Sequence, residues 1–513
     1  MGAASESTET KASTRGRESR TLPGSLIAFV SIAAIFCTVR SLASIGIVDD
    51  TYIFSRYGRL AAEGLGLVFN PGERVEGYTS PLWVGVATLV EFFGGSVEAL
   101  GVLGAVAGIL LCWVAFRRCD CGGAAWLPAA LLTMSPSVLF WSWSGMDVGL
   151  FSLFALLSLI LLGDDIAERT IRPITGWALA LAFLARPEGL LLLPIAAVAI
   201  LVQRVSGLRQ LAPVVTVILL SLLARYLYYG ELLPNTFYAK VPGELLYRWR
   251  HGSAYLWEFL VPYGVATALV AVLGVIAYRR NQSDPRIGLL LAWTMITFAY
   301  LVLQGGDHFA LHRMLVPVLA PMVLAAYMCS IRLANAAWIA CVAVAFAAGH
   351  IVAFVRAWGP AQEEVAAAKH WAQVGKWLRE SIPVQSRVAT IPIGAIGYFS
   401  HRRILDLSGL TNQHIGKRGR VHGNAFPGHF RYDSDYVLRE APEYVFLGIG
   451  GPERFQIELT EGYNYALIDL TRQRATSQMY RYVVCRAAPS LFAHFLVLRT
   501  QAASDVIVEP RRP

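Results

Sequence analysis

Apolar runs long enough, or nearly long enough, to cross a bilayer recur along this chain. They lie near 22–47, 97–116, 122–143, 146–162, 174–185, 187–203, 210–229, 254–278, 287–303, 314–331 and 335–357. A helix needs about 20 apolar residues to cross the hydrocarbon, where no water can satisfy an open backbone. The pattern predicts a polytopic α-helical membrane protein with about 11 transmembrane helices. Composition agrees, since 55% of the 513 residues are hydrophobic and only 15% charged. The cysteines mostly lie inside these apolar runs, which argues against a disulfide framework.

The run 81–94, PLWVGVATLVEFFG, is too short for a span and starts with proline, so an interfacial or re-entrant helix is expected there. Charge parity supports this. With 1–21 inside and 81–94 not crossing, Arg117, Arg118, Arg169, Arg172, Arg204, Arg209, Arg279, Arg280, Arg286 and Arg332 all fall on the inner side. The net charge of +9 therefore encodes orientation in the plasma membrane and implies no nucleic-acid partner. Residues 1–21, rich in Ser, Thr and Glu, read as a disordered cytoplasmic tail. Residues 22–357 form the transmembrane domain, with a first outer loop at 48–96. The runs 174–185 and 187–203 are either two spans or one helix bent at Arg186-Pro187.

From about 358 the composition changes. In EEVAAAKHWAQVGKWLRES, Trp371, Val374 and Leu378 share one helical face. The short runs RVATIPI, RRILDL, EYVFLGI, YALIDL, YVVCRA and FLVLRT read as strands, so 358–513 is expected to be a soluble α/β domain on the outer side.

Charged groups collect at the outer ends of the spans. Asp49 and Asp50 follow the first span, Asp49 as a helix cap and Asp50 in the first turn. On that helix Tyr52 and Arg56 share a face. Asp147, Arg186 and Glu188, then Arg225, Asn235, Tyr238 and Lys240, and finally Asp307, His308, His312 and Arg313 join them. A carboxylate there can take a proton from an acceptor hydroxyl, while Arg or Lys stabilises a leaving phosphate. Together these groups describe sugar transfer from a lipid phosphate at a membrane surface. His308 and His312, four apart beside Asp307, would suit a divalent cation on a helix, but Gly305-Gly306 indicates a loop, and no metal is assigned. In the tail, His401, Asp406, His414, His422 and His429 occupy loop-like segments that either grip a glycan or cover the site as a solvated lid.

The segments DDTYIFSRY, GLVFNPGERVEGYTSPLW, RPEG, YYGELLPNTFYAK and GGDHFALHRMLVP, in that order, resemble the GT-C membrane glycosyltransferases. They are most similar to the actinobacterial terminal β-(1→2) arabinofuranosyltransferases of cell-wall arabinan, over nearly all of 45–450. Ser144-Gly145-Met146-Asp147 stands where that family usually has S-G-L-E, an acid one methylene longer. The resemblance implies a GT-C fold, a periplasm-facing active site, a polyprenyl-phosphate sugar donor such as decaprenyl-phosphoryl arabinofuranose, and a cell-envelope glycan acceptor. It makes Asp49 and Asp50 the catalytic carboxylates, with Asp49 the base. Independently of the resemblance, Arg56, Arg186, Lys240 and Arg313 are the candidate clamps for the departing phosphate, because charge grows there as the bond breaks. Tyr52, Glu76, Tyr78, Asp147, Glu188, Asn235, Tyr238, Asp307, His308 and His312 become substrate-binding. The alternatives are another polyprenyl-phosphate sugar with a protein or lipid-linked acceptor, or a transporter of lipid-linked sugars. A transporter normally carries its charges near mid-membrane instead.

Overall fold

The computed structural model describes residues 22–119, 125–240, 244–282, 284–422, 428–452, 464–501 and 507–508, so the expected tail at 1–21 lies outside the described residues. After α1 (Leu22–Ala43), the first outer segment holds α2 (Asp49–Ala62) and α3 (Pro81–Phe92). The bundle continues through α4 (Glu98–Arg117), α5 (Leu127–Thr133), α6 (Pro136–Trp143), α7 (Val148–Glu168), α8 (Pro173–Ala185), α9 (Leu192–Gln203) and α10 (Ala212–Tyr229). The short α11 (Asn235–Lys240) precedes α12 (Leu245–Arg279), α13 (Pro285–Gln304), α14 (Val316–Arg332) and α15 (Ala336–Ser381). Among the described residues, 8 helical segments are long and apolar enough to cross a membrane, and three shorter apolar helices accompany them. The chain is a multi-pass membrane protein.

The expected spans differ from these helices where proline intervenes. The run 122–143 is not one span: Ser135, held extended ahead of Pro136, separates α5 from α6 and caps the latter through Val138 N–H (3.4 Å). Arg186, extended at φ −159°, likewise separates α8 from a 3₁₀ turn and α9, so two helices meet there. The domain boundary expected at 357/358 falls inside α15. Its 46 residues reach about 69 Å at 1.5 Å each, twice the bilayer core. One rigid element therefore carries the membrane bundle into the C-terminal domain.

At one end of the bundle, Arg118 and Arg286 converge on Asp164 (2.7 and 2.8 Å), Arg172 on Asp165 (2.5 Å), and Arg332 on Asp284. Several cations that parity assigned to the inner side thus meet in one knot. From there to Asp147, at the other end of α7, is about 25 Å of helix.

The C-terminal domain holds β1 (Arg387–Thr390), α16 (Gly394–Ser400), β2 (Arg403–Asp406), α17 (Gln413–Arg418), β3 (Arg420–Val421), β4 (Arg431–Tyr432), α18 (Ser434–Glu440) and β5 (Tyr444–Gly450). Then come α19 (Tyr465–Arg472), α20 (Arg474–Met479), β6 (Tyr480–Ala488), β7 (Leu491–Leu498) and β8 (Ile507–Val508). The main sheet runs β2-β1-β5-β7-β6-β8, with β1 parallel to β2 and β5, and β5, β7 and β6 antiparallel. YALIDL, expected as a strand, is α19: Leu467 and Leu470, three apart, bury one helical face together with Ile468. Helix α16 packs against both α15 and α2, and α17 against α11. The domain therefore sits on the segments that carry the acidic pair and Lys240.

Candidate active site

Between α2, α11, the Gly306–Arg313 loop, α15 and the C-terminal domain lies a cavity of about 450 Å³. Asp49, Asp50, Arg186, Glu188, Lys240, Asp307, His308 and Arg313 all line it, although they come from four separate stretches of sequence.

Helix α2 starts at Asp49, with Val48 in the cap position, so the Asp49 carboxylate does not cap its own helix as expected. It turns outward to the C-terminal domain. The Gly394 amide donates to Oδ2 (3.0 Å) and the Ala395 amide to Oδ1 (2.7 Å). These two bonds fix the carboxylate plane and leave a second lone pair on each oxygen. Burial, reinforced by the neighbouring Asp50 charge, raises its pKa to about 7 despite the two amide bonds.

Asp50 accepts from Arg313 Nη1 (3.2 Å), and Arg313 Nε donates to Asp307 (3.0 Å). The same guanidinium lies 4.0 Å over the Phe309 ring. Burial alone would raise Asp307, but Arg313, His308 and Lys240 outweigh it and hold the carboxyl below its usual range. Arg186 is held by Asp147 (2.9 Å) and by both Glu188 oxygens (3.2 Å each). Each arginine is thus matched by two carboxylates. Lys240 forms no ion pair among the described residues, and burial lowers its pKa, with the Asp50 charge opposing.

Several expected site residues point elsewhere. Arg56 does not reach the cavity: its guanidinium donates to the carbonyls of Phe69 (2.7 Å), Gly397 and Arg402 (2.7 Å), riveting α2 to the C-terminal domain. Tyr52 packs against Tyr398 and Phe399 at 5.7 and 5.4 Å between ring centres. Glu76 pairs with Arg225 (2.5 and 3.1 Å), and Tyr78 hydrogen-bonds to Tyr229 (3.1 Å). Asn235 donates to the carbonyls of Gly409 (2.7 Å) and Leu410 (2.9 Å), which clamps α11 to the domain. Tyr238 lies under Lys417 (4.9 Å). Asp147 is fully buried behind Arg186. His312, with a left-handed φ of 51°, is not on a helical face with His308, and it lines a neighbouring cavity. Among the described residues, no group of three or more His, Cys, Asp and Glu is placed to hold a metal ion.

Of the tail residues, His429 reaches the cavity, 5.1 Å from the His308 ring. His401 contacts Arg59 (3.2 Å), His414 pairs with Asp433 (2.8 Å), and His422 stacks on Tyr465. Asp406 closes its own turn by accepting from Ser408, Gly409 and Thr411 amides. Glu363 and Glu364 also line the cavity, and sequence reasoning missed them. The sequence there predicts only an amphipathic helix, and no spacing signal links them to Asp49.

Arg56→Ala leaves three carbonyls without their charged donor and is expected to destabilise the protein by about 3 kcal/mol or more. Thermal unfolding in detergent reads this directly. Arg56→Lys should restore little, because one ammonium cannot span the fork. An unchanged Tm in Arg56→Ala would refute the riveting role.

Residues 356–495 match a family described as a domain of unknown function (DUF8728). The terminal β-(1→2)-arabinofuranosyltransferase of Corynebacterium glutamicum is 26% identical over 332 residues, which is 53% of this chain and 46% of that protein. This chain thus spans about half the length of that relative. Among solved structures, ArnT from Cupriavidus metallidurans superposes with a TM-score of 0.55 at 14% identity, both in the apo state and bound to undecaprenyl phosphate. Those matches cover 94% of this chain and 99% and 100% of the two ArnT chains. The likeness shows that this chain has the ArnT-like GT-C fold.

Proposed function

We propose that this chain, a polytopic membrane protein with the GT-C glycosyltransferase fold, transfers a sugar from a polyprenyl-phosphate donor to a glycan hydroxyl. One observation carries the reading. A single cavity pairs a carboxylate whose pKa is about 7 with a lysine that has no carboxylate partner among the described residues.

In this mechanism the acceptor hydroxyl passes its proton to Asp49, and its oxygen bonds to the anomeric carbon. The bond from that carbon to the phosphate oxygen breaks, and the phosphate leaves with the electron pair. Its growing charge falls to Lys240, because Arg186 and Arg313 are already matched by acids. Asp50 holds Arg313 and keeps negative charge beside the base.

ArnT bound to undecaprenyl phosphate supports a polyprenyl-phosphate donor, and the corynebacterial terminal β-(1→2)-arabinofuranosyltransferase supports arabinofuranose as the sugar, while a cell-envelope glycan acceptor rests on the motif resemblance alone. The cationic knot at the far end of the bundle supports a periplasmic cavity. No divalent cation is assigned a role.

The test is transfer from radiolabelled decaprenyl-phosphoryl arabinose to a short arabinan in membranes containing the protein, with Asp49→Asn alongside. Transfer that is lost in the variant supports the donor and the base together. No transfer by the wild type excludes this pairing of donor and acceptor and moves the search to other polyprenyl-phosphate sugars, or to protein and lipid-linked acceptors.

Gly394→Ala gives a second expectation. A Cβ there would lie 2.8 Å from the Asp49 carboxyl carbon and collide with the Asp49 backbone oxygen. The displaced α16 no longer aims the base, and kcat should fall by about 10²-fold. An unaltered kcat would mean that the two amides do not orient Asp49.

A further inference from the structure

A second cavity of about 450 Å³ adjoins the first and shares Asp307, His308, Phe309, Pro360 and Glu364 with it. The rest of its wall comes from His251–Pro262 of α12, the loop before α14 and the middle of α15. Nothing in the transfer step uses it.

Seven of its 16 lining residues are Asp, Glu, His or Arg, which is a poor lining for an isoprenoid tail. His251, Glu258, His312 and Arg356 contribute to it and not to the first cavity. Pro360, inside α15, cannot donate a backbone N–H to the Arg356 carbonyl, and both residues line this cavity. Tyr255 adds an aromatic ring. Donors, acceptors and a ring together suit a neutral polyhydroxylated chain.

The shared loop is also strained. Leu311 and His312 are consecutive non-glycine residues with left-handed φ of 56° and 51°. Such conformations persist where surrounding structure enforces them, and they cluster at ligand sites. Here they lead from His308, on the shared wall, to Arg313 beside Asp50.

We propose that this second cavity binds the acceptor glycan, whose terminal hydroxyl passes the wall at Asp307–Phe309 and Glu364 to reach Asp49. The inference rests on the glycosyltransferase reading. The donor and acceptor then meet from opposite sides of one wall, and the donor phosphate stays with Lys240 in the first cavity.

The test uses the full chain in nanodiscs, a neutral arabinan oligosaccharide and the variants His251→Ala and Glu258→Gln. Glu258 is exposed, so that variant preserves the fold. At saturating decaprenyl-phosphoryl arabinose, each variant should raise the acceptor KM by about tenfold and leave the donor KM in place. Equilibrium binding of the oligosaccharide without donor should weaken equally. Unchanged acceptor KM and affinity, a shift in the donor KM instead, or no oligosaccharide binding by the wild type would each overturn the proposal. If the wild type transfers no arabinose but binds the oligosaccharide through His251 and Glu258, the acceptor cavity stands and the donor assignment falls.

Discussion

Asp49→Asn is expected to lower kcat for sugar transfer by about 10²–10⁴-fold while the protein still folds. The substitution keeps the size of the side chain but removes the group that takes the hydroxyl proton. It also leaves Gly394 or Ala395 facing an amide NH₂ in place of an oxygen. The pH profile separates these two effects. Because the Asp49 pKa is raised from 3.8 to about 7, the carboxylate forms only as pH climbs through neutrality. Wild-type kcat/KM should therefore rise with pH and fall by about tenfold per unit below pH 7, whereas the residual activity of the variant should be flat. Removing the Asp50 charge with Asp50→Asn takes away one cause of the raised pKa, so the acid limb should move to lower pH. A wild-type profile that is flat from about pH 5 to 9 would rule out Asp49 as the base.

The membrane architecture was legible because the bilayer leaves few options. Spanning runs must be long, apolar and helical, and the cations must sort to one side. The errors arose where backbone chemistry intervened, as at Ser135-Pro136, or where a helix outlasted the membrane, as in α15. Of the residues singled out in the sequence, Asp49, Asp50, Arg186, Glu188, Lys240, Asp307, His308 and Arg313 line the cavity together, while Tyr52 and Arg56 do not, and none of their partners was legible. Sequence spacing links Tyr52 to Arg56 on one face, yet the residues that decide their fates are far away. The Arg56 partner Gly397 is 341 residues distant, and the Asp49 partner Gly394 is 345. Arg56 and Arg313 look alike as isolated cations in the sequence. Only the fold shows that one binds backbone carbonyls and the other sits between two cavity carboxylates. Asp147, one methylene shorter than the acid usual in the resembling family, still reaches Arg186 at 2.9 Å, so the shortened side chain keeps its ion pair.

Lys240→Met should be the second large loss, lowering kcat by about 10²–10³-fold, as expected when a preorganised group facing developing charge is removed. The argument turns on charge already committed. Arg186 faces Asp147 and Glu188, and Arg313 faces Asp50 and Asp307, so a dianionic phosphate competes with carboxylates for either arginine. Lys240 meets no such competitor among the described residues, and burial makes its charge costly until an anion arrives. Its position depends on Asn235 five residues earlier, which ties α11 to the carbonyls of Gly409 and Leu410. Asn235→Ala should therefore act as a weaker copy of Lys240→Met, with the donor KM rising as α11 loosens. Lys240→Arg should recover part of kcat by restoring the charge, and Lys240→Gln should recover little. If Lys240→Met transfers sugar at the wild-type rate, the leaving phosphate is stabilised elsewhere, and Arg313 released from Asp50 becomes the group to substitute next.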